Sequence, residues 1–243
     1  MKMLRAILAL LVLICVASWV FAEPTGPINI NVESSTAGQV SNSAVQVDAL
    51  GGNVTQLTIN ASTITGFWQG YYGDITGNIQ LADGSGNVLY DWNPGSSFSP
   101  TGNIYAANQT IIDWTDVICL SISGPNTAAS GINASVLETM YGMDSGDGDG
   151  IIETFNSTQD ITVGTNPLTN CYGTHMYVNN ASQSVSWNES LLTENQTKAV
   201  IYATEIEQDA NGFNNQTWDF QMMVGDNADD SVPTTYYFYV ELS

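Results

Sequence analysis

One stretch of sequence decides the fold class: Ile75-Thr-Gly-Asn-Ile-Gln-Leu81, then Asp83-Gly84-Ser85-Gly86, then Val88-Leu-Tyr-Asp-Trp92. Two runs rich in aliphatic and aromatic residues flank a glycine-rich turn, which is a specific short-range signal of a β-hairpin. Much of the remaining chain has the same character, with Val, Ile, Thr, Tyr and Phe interrupted by Gly, Asn, Asp and Ser clusters. The sequence therefore predicts an all-β protein, an antiparallel β-sandwich of about a dozen strands with one short helix.

Further strands are predicted near both ends of the chain. Apolar runs in the N-terminal part predict strands at 28–32, 44–50 and 54–59. In the C-terminal part, runs at 198–207, 217–224 and 236–242 predict a three-stranded meander. The one predicted helix spans 133–141, because its apolar residues at 136, 137, 140 and 141 share a helix face and Gly142 supplies a stop.

The N-terminus has the three parts of a secretory signal peptide. Lys2 and Arg5 precede an apolar run at 6–22, which ends in Val20-Phe-Ala22 before Glu23. We therefore expect residues 1–22 to be a signal peptide and the protein to be secreted, to the extracellular cell surface. The alternative is an uncleaved anchor, but the run is short for a bilayer-spanning helix. Residues 23–43 are expected to be a flexible arm or an edge strand, and 44–243 the β-sandwich domain.

The charge of the chain excludes one class of partner. After loss of residues 1–22, one basic residue, Lys198, stands against all 24 acidic ones, a net charge of −23. Nucleic-acid affinity comes from Lys and Arg side chains that displace counterions, so we expect no nucleic-acid partner. No second long apolar run occurs, so no membrane span is expected after removal of the signal.

Two kinds of covalent modification follow from export. Cys119 and Cys171 remain after signal cleavage, and an oxidising compartment favours a disulfide between them over two free thiols. Asn-x-Ser/Thr acceptors predict a glycoprotein. These acceptors are Asn53, Asn60, Asn108, Asn133, Asn156, Asn180, Asn188, Asn195 and Asn215.

An acidic, glycine-rich loop is the candidate metal site. The loop reads Asp144-Ser-Gly-Asp147-Gly-Asp149-Gly150-Ile-Ile-Glu153. Alternating carboxylates on such a loop supply the hard oxygen ligands that Ca²⁺ prefers. We expect a structural Ca²⁺ held by Asp144, Asp147, Asp149 and Glu153. The pattern departs from an EF-hand, since Asn156 stands where the last carboxylate is expected, and a solvated acidic turn is the alternative.

Neither the aromatic residues nor the titratable ones single out an active site. Core packing is the favoured interpretation of the conspicuous aromatics, with stacking on sugar rings as the alternative. They are Trp68, Tyr71, Tyr72, Trp92, Trp114, Trp187 and Trp218. His175 is the one histidine, and no nucleophile motif such as Gly-x-Ser-x-Gly is present. A carboxylate-pair glycosidase stays an alternative, although no pair of acids stands out.

Two sequence motifs show a resemblance to a group of known proteins. Gly66-Phe-Trp-Gln-Gly-Tyr-Tyr-Gly73 and the ending Tyr236-Tyr-Phe-Tyr-Val-Glu-Leu242 resemble a group of secreted, mostly archaeal surface proteins of uncharacterised function. The resemblance implies a cell-surface location and assigns no catalytic residues. We therefore expect a non-enzymatic structural or adhesive protein, such as a subunit of a surface layer or filament, with other surface proteins or itself as partner. The alternatives are a carbohydrate-binding module, with a polysaccharide as partner, and a glycoside hydrolase.

Overall fold

The computed structural model describes residues 23–39, 43–92, 101–122, 131–182, 187–229 and 231–242, so the predicted signal peptide lies outside the described residues. The strands are β1 (Trp68–Gly73), β2 (Gln80–Ala82), β3 (Val88–Asp91), β4 (Gly102–Ala107), β5 (Val117–Cys119), β6 (Ser157–Val163), β7 (Asn166–His175), β8 (Tyr177–Val178), β9 (Ala181–Ser182), β10 (Asn188–Glu194), β11 (Val200–Glu205), β12 (Ala210–Asn211), β13 (Thr217–Trp218), β14 (Phe220–Gly225) and β15 (Tyr237–Leu242). The helices are α1 (Ala134–Tyr141) and α2 (Ile151–Thr154), and 3-10 turns lie at Trp114–Asp116 and Phe213–Asn215.

The main sheet is antiparallel and has the strand order β15-β4-β11-β10-β7-β6. Strand β5 pairs with the second half of β10, beyond the part of β10 that pairs with β7. Strands β4, β10 and β11 are buried along almost their whole length. Strands β4 and β11 are mostly apolar, as buried strands usually are, whereas β10 buries Glu189, Ser190, Thr193 and Glu194. The predicted all-β antiparallel sandwich with little helix is confirmed.

Each face of the main sheet carries a hydrophobic core. On the first face, Ala106, Leu191 and Tyr202 pack against α1, α2 and the β1–β14 pair. On the second face, Tyr105 and Leu192 belong to a cluster that includes Trp114 and two β6 residues, Ile161 and Val163. The sheet curls over this second face, because Asn103 Nδ2 on β4 donates to the Thr162 carbonyl on β6 at 2.8 Å. The curl brings the start of β4 within side-chain reach of β6, the last strand of the order.

The predicted helix is confirmed as α1, and its ends have clear causes. The Asn133 side chain accepts from the backbone N–H of Val136 at 2.9 Å, which caps the first turn. Gly142 ends the helix in the left-handed region at φ 75°. The hydroxyl of Tyr141 lies 2.7 Å from that of Tyr236, so the last turn is tied to the chain just before β15. The four-residue helix α2 was not predicted.

Several predicted strands are wrong. Residues 28–32, 44–50 and 54–59 form no strand in the structure, and the first strand begins at Trp68. The predicted C-terminal meander is also wrong, since β11 pairs with β10 and β4, and β14 pairs with β1. Local alternation identified most of these C-terminal strands, but their partners come from distant parts of the chain, which local pattern does not encode. Strands β1, β7 and β10 were missed.

The predicted disulfide between Cys119 and Cys171 is confirmed. The two cysteines are 52 residues apart in sequence, and their Cα atoms are 4.9 Å apart. Strand β5 carries Cys119 and β7 carries Cys171, and both strands border β10. The bridge therefore joins two segments that lie along the same edge of β10. In the part of the chain that the structure describes, no helix is both long enough and apolar enough to cross a bilayer.

Candidate functional site

The acidic loop connects α1 to α2 and is held by its own hydrogen bonds. The backbone N–H of Asp144 donates to Asp147 Oδ2 at 2.8 Å, and that of Gly150 donates to the Asp147 carbonyl at 3.0 Å. The indole Nε1 of Trp68 donates to the Asp149 carbonyl at 2.6 Å, which ties the loop to β1. The loop is therefore a fixed turn against the body of the protein.

The four predicted metal ligands do not converge on one point. Asp144 and Glu153 are exposed, and Asp147 and Asp149 are half-buried. In the part of the chain that the structure describes, no three Asp, Glu, His or Cys side chains lie close enough to hold a metal ion. Calcium binding by these four carboxylates therefore stays a prediction.

A different set of oxygens meets beside Gly150. A Cβ atom placed on Gly150 would lie 2.6 Å from Glu153 Oε2, 3.1 Å from Glu138 Oε1 and 3.2 Å from the Asp147 carbonyl oxygen. Two carboxylates and a main-chain carbonyl are hard ligands of the kind that Ca²⁺ takes in proteins. Glu138 was missed at the sequence level, because it lies on α1 and outside the acidic loop. The predicted apolar face of 136, 137, 140 and 141 is only half right, since Val136 and Met140 are exposed, and the buried face of α1 consists of Ala134, Leu137, Glu138 and Tyr141.

Glu138 also has a structural role. The side chain is buried, and its Oε1 accepts from the backbone N–H of Ile152 at 3.0 Å. This bond satisfies one of the free N–H groups in the first turn of α2. The carboxylate therefore connects α1, the start of α2 and the space beside Gly150.

The predicted glycosylation acceptors divide by exposure. The exposed acceptors are Asn53, Asn60, Asn156, Asn180 and Asn215, and the half-buried ones are Asn108, Asn133, Asn188 and Asn195. Hydrogen bonds hold several of the second group. Asn133 caps α1, Asn108 Oδ1 accepts from the Val200 N–H at 2.9 Å, and Asn188 Oδ1 lies 2.6 Å from His175 Nδ1. Glycan attachment is therefore expected first at the exposed group.

The aromatic residues do not all lie in the core. Trp114 and Trp187 are buried, as the favoured interpretation expects, and Trp68 and Tyr71 pack against the first core. Trp92 is 51% exposed on the hairpin side and pairs with Tyr90. A second exposed group is a row of three rings, in which Tyr72 lies between Phe213 and Trp218. Its ring centroid is 4.8 Å from that of Phe213 and 4.9 Å from that of Trp218.

An open groove lies where the sheet curls, between the β6–β7 hairpin and the ends of β4 and β11. Its volume is about 530 Å³, and two carboxylates, Asp160 and Glu205, line it. Burial and the nearby charge of Glu207 raise the pKa of Glu205. Asp160 Oδ1 accepts from the Asn170 N–H at 2.8 Å. Cys171 is in the disulfide, so it and His175 do not form a thiol–imidazole pair.

Comparisons with protein-family models, with curated proteins and with solved structures find no match to this chain.

Proposed function

We propose that this protein is a secreted, glycosylated cell-surface protein with a structural or adhesive role, a subunit that assembles through its N-terminal segment in the presence of calcium. The observation that carries the proposal is the exposure of the segment 28–64. We call this segment the arm from here on; it overlaps the predicted arm of 23–43 and extends beyond it. The arm has the composition of β-strands, yet its described residues pair with no strand. An apolar β-type segment without a partner is typical of an interaction surface.

The apolar side chains of the arm are exposed along its length. Alternation is clearest in Ile28-Asn-Ile-Asn-Val32, which is the pattern of a half-buried strand. Ten side chains of the arm are between 48% and 102% exposed: Ile28, Ile30, Val32, Val45, Val47, Leu50, Val54, Leu57, Ile59 and Ile64. Full burial of one such side chain stabilises by about 1.5–3 kcal/mol. Burial of most of them offsets the loss of freedom on association, about 4–15 kcal/mol.

An open sheet edge lies next to the start of the arm. Thr25 forms a bridge with Val240, with N–H to carbonyl distances of 3.0 and 2.8 Å, on the side of β15 that faces away from β4. The antiparallel register would next place Pro27 opposite Phe238, and proline has no N–H to donate. The ladder therefore stops after one bridge. The backbone groups of Phe238 and Leu242 on the same side of β15 have no backbone partner among the described residues.

The distribution of charge favours this region for contact between copies. Residues 24–66 contain only Glu33 and Asp48 as charged residues, although the mature chain is strongly acidic. In β15, the one carboxylate is the buried Glu241, which accepts from the Tyr105 hydroxyl and the Gly164 N–H. Like-charge repulsion between two copies is therefore weakest where the arm of one copy meets the β15 edge of another.

Calcium supports assembly in two ways in this proposal. The oxygens beside Gly150 provide a site that fixes the α1–α2 turn, and divalent cations screen the net negative charge that opposes association. The residues that would hold the ion are Glu138 and Glu153, through their carboxylates, and Asp147, through its main-chain carbonyl.

The test is self-association of the purified secreted protein, measured by light scattering and electron microscopy in calcium and in a chelator. We expect assemblies in calcium and monomers in the chelator. A double variant, Val45→Asp with Val54→Asp, adds charge to exposed arm positions and should stay monomeric in calcium while its folded body is unchanged. The matched control is Ile111→Asp, since Ile111 is 80% exposed but lies outside the arm.

Two results would contradict the proposal. The first is a wild-type protein that stays monomeric in both conditions. The second is a double variant that assembles as well as the wild type.

The groove with Asp160 and Glu205 favours a second candidate function, glycoside hydrolysis. Such enzymes use two carboxylates, one of which is a general acid with a raised pKa. The raised pKa of Glu205 fits that role. Release of reducing sugar from a polysaccharide, abolished by Glu205→Gln, would support it. No release by the wild-type protein would reject it.

A further inference from the structure

The row of Phe213, Tyr72 and Trp218 lies at the surface on three different elements: a 3-10 turn, β1 and β13. Phe213 is 50% exposed, Tyr72 is 41% exposed, and Trp218 is half-buried. Neighbouring rings are tilted by 41° and 56°, so the row is stepped and not flat. Exposed adjacent aromatics from separate elements need a cause, because the hydrophobic effect alone would bury them.

The turn that presents Phe213 is held in place from beneath. The Phe213 N–H donates to Oε1 of the buried Gln221, and Gln221 Nε2 donates to the Tyr177 carbonyl at 3.1 Å. On the other side, Trp218 Nε1 donates to the Phe213 carbonyl at 2.9 Å. These bonds fix the positions of two rings of the row before any ligand arrives. Such preorganisation reduces the entropy lost on binding.

Residues with positive φ are concentrated at the same corner. The described chain has nine non-glycine residues with positive φ, and six of them lie in or beside this turn and the neighbouring β8–β9 turn. They are Asn179, Asn180, Trp187, Asp209, Asn214 and Asn215. The two turns touch, since the Asn179 N–H donates to the Gly212 carbonyl at 3.3 Å and Trp187 Nε1 donates to the Asn211 carbonyl at 2.8 Å. Five of the six are Asn or Asp, which adopt positive φ readily in tight turns, and Trp187 is the exception.

The charges beside the row restrict the class of ligand. Asp74 follows β1 directly, is exposed, and has Asp219, Asp209 and Glu33 as its charged neighbours. The basic side chains needed to bind a phosphate or sulfate are almost absent from the mature chain, in which Lys198 is the one basic residue. Carboxylates accept hydrogen bonds from hydroxyl groups, and aromatic rings contact the apolar faces of sugar rings. A neutral ligand rich in hydroxyl groups fits both.

We propose that Phe213, Tyr72 and Trp218 form a binding site for a neutral saccharide, with Asp74 and Asp209 as acceptors for its hydroxyl groups. This site is separate from the space beside Gly150 and from the groove with Asp160 and Glu205, and Glu33 of the arm lies near its Asp74. It gives the protein a carbohydrate-binding activity that does not depend on self-association.

The test is titration of the wild-type protein with three probes: cellohexaose, mannohexaose and the polyanion polygalacturonate. Binding is measured during each titration by calorimetry and by tryptophan fluorescence. We expect saturable binding of at least one neutral hexasaccharide and none of the polyanion. Phe213→Ala should weaken that binding about two- to tenfold, the effect of one aromatic contact. Trp92→Ala is the matched control, because Trp92 is also exposed and paired with a tyrosine, and this variant should bind as the wild type does.

Three outcomes would overturn the site. The first is no binding of either neutral hexasaccharide. The second is equal binding by the wild type and Phe213→Ala. The third is a Phe213→Ala variant that loses self-association and not saccharide binding, which would make the row a contact between copies. Far-ultraviolet circular dichroism of each variant separates loss of the site from loss of the fold.

Discussion

Replacement of Gly150 by alanine tests the proposed calcium site directly. The new Cβ would lie 2.6 Å from Glu153 Oε2 and 3.1 Å from Glu138 Oε1, in the space where these oxygens meet. Gly150 has φ −66°, which alanine adopts without backbone strain, but the Glu153 and Glu138 carboxylates must move away from the new Cβ, so we also expect some loss of stability without calcium. The substitution therefore displaces the carboxylates of Glu153 and Glu138, the proposed ligands of the ion, without changing their chemistry.

The expected effect follows from the affinity of such a site. Extracellular calcium modules bind with dissociation constants of about 10⁻⁴–10⁻³ M. At about 10 mM calcium, binding to the folded state alone adds about 1.4–2.7 kcal/mol to the free energy of unfolding. For a chain of this size, that raises the melting temperature by about 3–10 °C. The Gly150→Ala variant should show almost none of this rise.

The assay is thermal unfolding by circular dichroism or calorimetry, in calcium and in a chelator. Gly148→Ala is the matched control, because a Cβ on Gly148 meets no atom within 4 Å. This control should keep the calcium-dependent rise. The reasoning is refuted if the wild type melts at the same temperature in both solutions, or if Gly150→Ala responds to calcium as the wild type does.

Three further predictions concern stability. Replacement of both Cys119 and Cys171 by alanine should lower the free energy of unfolding by about 4 kcal/mol, which is the chain-entropy value for a separation of 52 residues. Denaturant titration measures this loss, and an unchanged midpoint would contradict the stabilising role assigned to the disulfide. Burial raises the pKa of Glu189 well above its usual range, and its Oε1 has no hydrogen-bond partner in the described part of the chain. The folded state therefore holds a proton that the unfolded state releases as pH rises above about 4.3. Stability from this group therefore falls as pH rises towards the folded pKa, and Glu189→Gln should exceed the wild type by at least about 1 kcal/mol at pH 8 but not at pH 4, as urea titrations at the two values would show. Gly225→Ala should destabilise by about 1–3 kcal/mol, because its Cβ would lie 2.9 Å from the Tyr202 hydroxyl, and a melting temperature equal to that of the wild type would argue against this close packing.

The fold class was predictable because it depends on local pattern and composition. The β2–β3 hairpin, β11 and α1 all appear near their predicted positions, since each carries its own periodic signal. Helix α1 shows this most clearly, because Asn133 and Gly142 mark its two ends in the sequence itself. The strand pairings were not predictable in the same way. The partners of β11 are β4 and β10, and only burial of both faces of the sheet selects them.

The candidate sites show the same division. The acidic loop was visible in the sequence as a source of oxygen ligands, yet Glu138 joins it only because α1 turns back against α2. The row of Phe213, Tyr72 and Trp218 brings together residues separated by more than a hundred positions, and no local pattern relates Tyr72 to Phe213. Pairing of β1 with β14 places Tyr72 opposite Gln221, whose side chain also holds Phe213.

The sequence by itself determined the all-β class, the capped helix α1, the acidic character and the two cysteines that pair, because these follow from residue type and short-range spacing. Tertiary structure alone decided which strands are neighbours, which aromatics stay at the surface, and that the arm finds no partner strand among the described residues. The physical reason is that the hydrophobic effect is non-directional: an apolar strand gains from burial whichever part of the chain covers it. The same alternating pattern is a strand where a partner covers it and an exposed segment where none does.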